Sequence, residues 1–330
     1  MGALEQATDH RSLSLWPLVG AVRSRHLAAI IAGSLAAAVL GCRPAGDAAA
    51  PGEVPPGDYR RIVSTAPNVT ETLFALGLEE RVVGVTRYCR FPPAARERPQ
   101  VGGFLDPNFE AILALDPDLV VAVRSLYASH GTFDRLGLRV LVVEHHSVDD
   151  VLASIAAIGR VCGVEAEATA IIEEMTARMT EVARHTEGRP RPRVMLVVER
   201  PPGRLADVFV AATDGYFDRL IATSGGRNAF AEAAVPFPTV SVEGILAADP
   251  EVIVELAPPV DGVEESPPVA AARAAAIAAD WEQLPQVAAV REGRVHVLTD
   301  PASAVPGPRY VGFLERLAEL IHPEVTGDSP

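Results

Sequence analysis

The stretches AILALDPDLVV (Ala111–Val121) and GILAADPEVIV (Gly244–Val254) stand 133 positions apart and read as one device written twice. Each directly follows a glutamate, Glu110 and Glu243. In the first copy Asn108 is placed to cap a short helix on which Phe109, Ile112 and Leu113 share an apolar face. Asp116-Pro117 ends that helix, because the residue before a proline avoids the right-handed helical region, and DLVVAV runs on as a buried strand. In the second copy Ser241 caps, Val242, Ile245 and Leu246 form the face, Asp249-Pro250 stops the helix, and EVIVEL is the strand. Both glutamates fall in the first helical turn, about 100° round from the apolar stripe, and so face solvent near the helix start.

Around each copy the chain alternates strand and helix. RIVS is a short apolar strand, TAPN a turn, and VTETLFAL a helix for which Asn68 and Glu71 have the spacing of a capping box. Gly77 stops it and RVVGV returns as a strand; after the first device FDRLGLRVLVVE leads a helix end into another strand. A second alternating region opens at VMLVVE and closes with RVHVL and the helix YVGFLERLAELI. Strand–helix–strand units of this length imply parallel sheets covered by helices. Between the two regions SVDDVLASIAAIGRVCG and EAEATAIIEEMTARMTEVARHT read as helices broken at Gly163, the second about 33 Å long at 1.5 Å per residue. The expected fold is α/β: two Rossmann-like lobes with parallel sheets, joined by a long backbone α-helix, with a ligand cleft between them. The expected boundaries are a first lobe over 59–146, an inter-lobe helical region over 147–190 and a second lobe over 191–325.

Composition narrows the function. The chain has 330 residues, is 48% apolar, carries a net charge of −14 and contains no lysine. Lysine-dependent chemistry, including the phosphate loop ending in Gly-Lys-Ser/Thr, is excluded. The acidic balance lacks the basic face that nucleic-acid binding needs. No G-x-G-x-x-G, H-E-x-x-H or G-x-S-x-G pattern occurs, so a nucleotide-using enzyme is the weaker alternative and no catalytic residue or cofactor is assigned.

Arg23, Arg25 and His26 precede LAAIIAGSLAAAVLG (Leu27–Gly41) and then Cys42. The apolar run is shorter than the ~20 residues needed to span a bilayer and ends in small residues, the pattern of an export signal over 1–41. VLGC has the form of a bacterial lipoprotein box, with Cys42 as the lipidated residue; the alternative is a secretory signal with a chance cysteine. A second apolar patch, LSLWPLVGAV, makes the leader long, and a start further downstream is expected. The segment 42–58, RPAGDAAAPGEVPPGD and its flanks, is too poor in large apolar residues to pack and reads as a flexible tether. Of the remaining cysteines, Cys162 falls on an apolar helix face and is expected to be buried; pairing with Cys89 stays open.

In a sheet of this type ligands sit at the carboxyl ends of the strands. Tyr88, Phe104 and Phe237 lie on loops there and are candidates for cleft walls. His145-His146 has the look of a metal pair, but it directly precedes Ser147, a cap for the next helix, so a loop role is expected. His130 has no partner at ligand spacing.

The run RIVSTAPNVTETLFALG…RVVGVTRYCRFPP…VGGFLDPNFEAILALDPDLVV, with VPFPTVSVEGILAADPEVIV and GRVHVLTD…PGPR, resembles the cobalamin- and siderophore-type substrate-binding proteins of bacterial ABC importers, its cobalamin-binding members in particular. The resemblance implies a non-enzymatic solute receptor. It would be anchored outside the cytoplasmic membrane, act as a monomer and deliver a corrinoid to an ABC permease and its ATPase; a ferric siderophore or haem is the alternative cargo. It places ligand contacts on Tyr88, on Phe104 and Phe237, which stand where the family's cobalamin binders have tryptophans, and on Asp300. It places permease docking on Glu110 and Glu243. Trp281 also matches, in a segment that packs the second lobe, and is expected to be structural. Arg87, Arg124 and Arg309 are available to an anionic ligand, with salt bridging as the default.

Overall fold

The structure, a computed structural model, describes residues 54–129, 131–259 and 265–324; the leader, Cys42 and His130 lie outside the described residues. The first lobe contains β1 (Ile62–Ser64), α1 (Pro67–Ala75), β2 (Val82–Gly84), α2 (Phe109–Ala114), β3 (Leu119–Val123), α3 (Arg124–Ser129), α4 (Thr132–Arg135) and β4 (Val140–Val143). Two helices follow, α5 (Val148–Cys162) and α6 (Glu165–Thr186). The second lobe contains β5 (Arg193–Glu199), β6 (Val208–Val210), α7 (Phe217–Thr223), β7 (Arg227–Asn228), β8 (Thr239–Val240), α8 (Val242–Ala248), β9 (Val252–Leu256), α9 (Pro267–Asp280), α10 (Ala288–Arg291) and β10 (Val295–Leu298). The helix α11 (Tyr310–Ile321) closes it.

The first sheet is wholly parallel, in the order β2-β1-β3-β4. The second runs β10-β9-β5-β6-β8 with β7 beside β5, and it is mixed: β6 is antiparallel to both β5 and β8. That departs from the expectation of parallel sheets in both lobes. The return arises because β6 follows β5 through a short loop with no crossover helix, and such a connection pairs strands antiparallel.

The repeated device folds alike in both lobes. Asn108 accepts a hydrogen bond from the Ala111 N–H at 3.0 Å and Ser241 one from Gly244 at 3.3 Å. Ile112 and Ile245 are fully buried. After each helix the aspartate before proline turns left-handed, Asp116 at φ 43° and Asp249 at φ 41°, a conformation that aspartate tolerates better than most residues. An arginine at the start of the neighbouring strand then ties the helix end down: Arg61 Nε donates to the Leu115 and Asp116 carbonyls, Arg193 Nε to those of Ala248 and Asp249. The duplication thus includes its own bracing.

The expected α1 cap is corrected. Helix α1 begins at Pro67 with Ala66 as N-cap, so Asn68 and Glu71 lie inside it and both are buried. Proline is suited to the first helical position, where its missing N–H is not needed, and that moves the start one residue upstream of Asn68.

Between the lobes the Ser147 hydroxyl caps α5 by accepting from the Asp150 N–H at 3.0 Å, and Gly163, at φ 70°, ends it. One continuous apolar core runs from β1, β3 and β4 through α5 and α6 to α7, α11 and one face of β5 and β9. The opposite face of the second sheet has its own cluster around Trp281. At the end of the expected tether, Val54 is buried and the Gly57 N–H donates to the Val161 carbonyl at 3.0 Å, so the chain is already held against α5 there.

Candidate functional site

A cleft of about 380 Å³ is lined by Pro67, Asn68, Phe104, His145, His146, Asp214, Tyr216, Phe217, Phe237, Val305 and Pro306. Its walls come from both lobes. Phe104 belongs to the loop leading into α2, and that loop is shaped by Gly102 at φ 98°, where an added Cβ would fall 2.5 Å from both the Asn108 nitrogen and the Asp106 carbonyl oxygen. Phe237 belongs to the equivalent loop leading into α8; it stacks on Phe209 at 5.7 Å between centroids and meets Phe217 edge-on at 6.4 Å. Each phenylalanine precedes its lobe's exposed glutamate by the same interval, Phe104 before Glu110 and Phe237 before Glu243.

At the floor, the loop before α7 passes beside the end of the first lobe. Gly215 permits this, since a Cβ there would approach the His146 carbonyl oxygen to 3.1 Å, and its φ of 80° is one that side chains resist. Asp214 accepts from the Phe217 and Asp218 N–H groups at 2.7 and 3.0 Å, fixing the start of α7. Burial pushes its carboxyl above the usual range despite those donors. Two buried polar atoms at this floor have no partner among the described residues, His145 Nδ1 and the Tyr216 hydroxyl. Burial, followed by the neighbouring His146, holds the His145 imidazole below its usual pKa, so it is neutral at neutral pH. The two imidazoles stack at 4.8 Å.

The structure gathers two of the four ligand candidates, Phe104 and Phe237, into this cleft. Tyr88 is half-buried on the adjacent loop and outside the lining; Arg87 lies over its ring at 4.9 Å and pairs with Asp106 at 2.9 Å. Asp300 lines a separate cavity with Arg178, Arg309 and Arg316, and its carboxylate accepts from the Ala302 N–H at 2.9 Å. The three arginines considered for an anionic ligand are all engaged: Arg87 with Asp106, Arg124 with Glu144, and Arg309 with Glu71. Glu71–Arg309 crosses from α1 to the segment before α11, with Nε–Oε2 at 2.9 Å, and the guanidinium also lies over the Phe91 ring at 3.8 Å.

Glu110 and Glu243 are exposed on their helices, as expected. A hydrogen bond from its own backbone N–H and then the Ser241 hydroxyl hold the Glu243 carboxyl below its usual range. Trp281 is fully buried and its Nε1–H donates to Glu255 at 2.7 Å; Arg200 joins the same carboxylate and Asp280. Cys89 and Cys162 are both free and buried. Among the described residues no group of three or more metal-ligating side chains forms, and no helix is long and apolar enough to cross a membrane.

Sequence reasoning missed Asp214, Tyr216 and Phe217. They open a helix whose apolar spacing reads as core, and only the approach of the first lobe turns that helix start into a cleft wall. His145 and His146 are loop residues, as expected, and the loop they occupy is the cleft floor.

An aromatic-walled cleft between two α/β lobes on a stiff helical spine is an architecture that can enclose a solute. The chain belongs to the periplasmic binding protein family, which it matches over residues 62–302. It is 30% identical over 272 residues to the cobalamin-binding protein of Halobacterium salinarum, covering 79% of this chain and 69% of that one. It is 28% identical over 273 residues to an uncharacterized ABC transporter substrate-binding lipoprotein, YvrC, of Bacillus subtilis, covering 80% and 81%. Among solved structures, the periplasmic vitamin B12-binding protein of Vibrio cholerae superposes with a TM-score of 0.67 at 23% identity, over 82% of this chain and 99% of that one. The periplasmic haem-binding protein BhuT gives 0.64 at 25%, over 80% and 100%. The chain is therefore a transport-type substrate-binding protein, of an extracytoplasmic family whose partners are an ABC permease and its ATPase.

Proposed function

We propose that this protein captures a corrinoid outside the cell and hands it to its importer. The observation that carries the reading is the chemistry of the cleft: a phenylalanine from each lobe, Phe104 and Phe237, beside the His145 imidazole, the Tyr216 hydroxyl, the Asn68 amide and the Asp214 carboxyl, with no arginine among the described residues lining it. Flat aromatic faces bury a macrocycle's plane at little entropic cost, and neutral imidazole, phenol and the Asn68 amide suit amide substituents. Haem propionates or a carboxylate siderophore would be served best by arginines, which the described lining does not contribute, and burying them unpaired is costly. A corrinoid exceeds the cavity, so part of it would project beyond it; in this reading Tyr88, on the adjacent loop, and Asp300, in its separate cavity, would be outer contacts. Relatives named as vitamin B12- and cobalamin-binding proteins support the reading. Lipidation at Cys42, with the protein acting as a tethered monomer, is supported by the sequence pattern and by the lipoprotein relative. Docking through Glu110 and Glu243 is supported by their exposure at matched places in the two lobes.

The test is a titration of the purified protein with cyanocobalamin, cobinamide, hemin and a ferric catecholate, read from ligand absorbance. Trp281 is a poor reporter because it is buried away from the cleft. Corrinoids should bind saturably, and at least tenfold more tightly than hemin or the anionic chelate. Tight hemin binding with no corrinoid response would overturn the reading.

A further inference from the structure

The repeated device contains a feature that packing does not explain. Leu113 and Leu246, expected on the buried helix face, are exposed in both lobes, at 43% and 39%, while Ile112 and Ile245 beside them are fully buried. Each leucine stands one turn beyond its lobe's glutamate, so Glu110 and Leu113 share one surface, and Glu243 and Leu246 another. Ala114 and Ala247 are exposed on the same faces. Single exposed leucines are ordinary on a protein surface. Two at equivalent positions of a duplicated cassette, each paired with an exposed acid, are a repeated surface rather than two accidents. Two more large apolar side chains are exposed in the loops that lead into these helices, Leu105 at 73% and Val235 at 50%. The faces are also held firmly: capped at the start by Asn108 and Ser241, and tied at the end by Arg61 and Arg193.

We infer that Leu113 and Leu246 form the apolar half of the surface that docks on the permease, and that Glu110 and Glu243 supply its polar rim. The partner this surface fits presents two equivalent sites, each an apolar hollow bordered by a basic side chain. Division of labour follows from the physics. Exposed charges speed and orient encounter and are screened by salt, whereas apolar contact excludes water and holds the complex once formed. The inference rests on the docking reading above and adds the groups that give the complex its lifetime.

The experiment places benzoylphenylalanine at Leu113, Leu246, Glu110 or Glu243 in the full chain, expressed in its own host and irradiated in cells. Both leucine positions should cross-link to an integral-membrane ABC permease subunit identified by mass spectrometry, and exposed Glu173 on α6 should not. In parallel, Leu113→Ser and Leu246→Ser should each weaken binding to host membrane vesicles about tenfold, the scale expected for losing burial of one leucine's exposed surface. The salt dependence should stay as in the parent; Glu110→Gln should flatten it. Cross-links from the glutamates alone, with serine variants binding like the parent, would refute the apolar half and leave docking standing. No permease cross-link from any of the four positions would refute the docking reading itself. Cross-links to a second copy of this chain would make the face a self-association surface and overturn both.

Discussion

Removing the Arg309 guanidinium should destabilise the protein by an amount that grows with pH. The Glu71 side chain is 4% exposed and Arg309 27%, and the pair joins α1 to the segment before α11. Burial is the largest influence on Glu71 and pushes its carboxyl up; the hydrogen bonds and charge of Arg309 pull it down, and Asp300 adds a smaller rise. In Arg309→Met the stem still covers Phe91, but Glu71 loses its donors and folds protonated. A carboxyl with a raised folded-state pKa binds more protons folded than unfolded. Its contribution is complete below the unfolded value of 4.5 and is lost as pH rises through the folded value. The substitution raises that folded value further, so the loss continues to higher pH. Holding the proton against an unfolded pKa of 4.5 costs up to about 3 kcal/mol at pH 7 and about 1 kcal/mol at pH 5.5. Breaking one partner of a buried pair costs a comparable ~3–5 kcal/mol in general. Urea unfolding of parent and variant at the two pH values measures the difference. The double variant Glu71→Gln/Arg309→Met should recover most of the loss at pH 7, because no charge is left buried. A loss below about 1 kcal/mol at pH 7, or an equal loss at both pH values, would refute the reasoning.

Two further outcomes are expected. Reversing Glu110 or Glu243 to arginine should leave corrinoid affinity within about twofold while impairing uptake by cells, since like charges repel at a docking rim; lost ligand affinity in a stably folded variant would put these acids in the cleft. Cys89 and Cys162 should resist a thiol reagent at pH 8 in the folded protein and react fully after denaturation, because burial raises both thiols, Cys162 to about 11. Rapid labelling of the folded chain at either residue would contradict their placement.

The duplicated device carried its local structure in its own residues. Cap, apolar pattern, stop and strand are short-range properties, and all but one appeared in both lobes as read. The exception is instructive: Leu113 and Leu246 have the spacing of a core face, yet both stay exposed beside the buried Ile112 and Ile245. The α5 and α6 spans, with the break at Gly163, were equally legible, because helical periodicity and a left-handed glycine need no distant partner.

Sequence alone determined two α/β lobes, the helical spine and the two exposed acids, since each depends on neighbours within a few residues. Tertiary structure alone decided that β6 returns antiparallel, that Glu71 meets Arg309 from the far end of the chain, and that His145 and Tyr216 meet at one floor. Those outcomes depend on which distant surfaces come together to remove apolar area from water, and no local spacing encodes that choice.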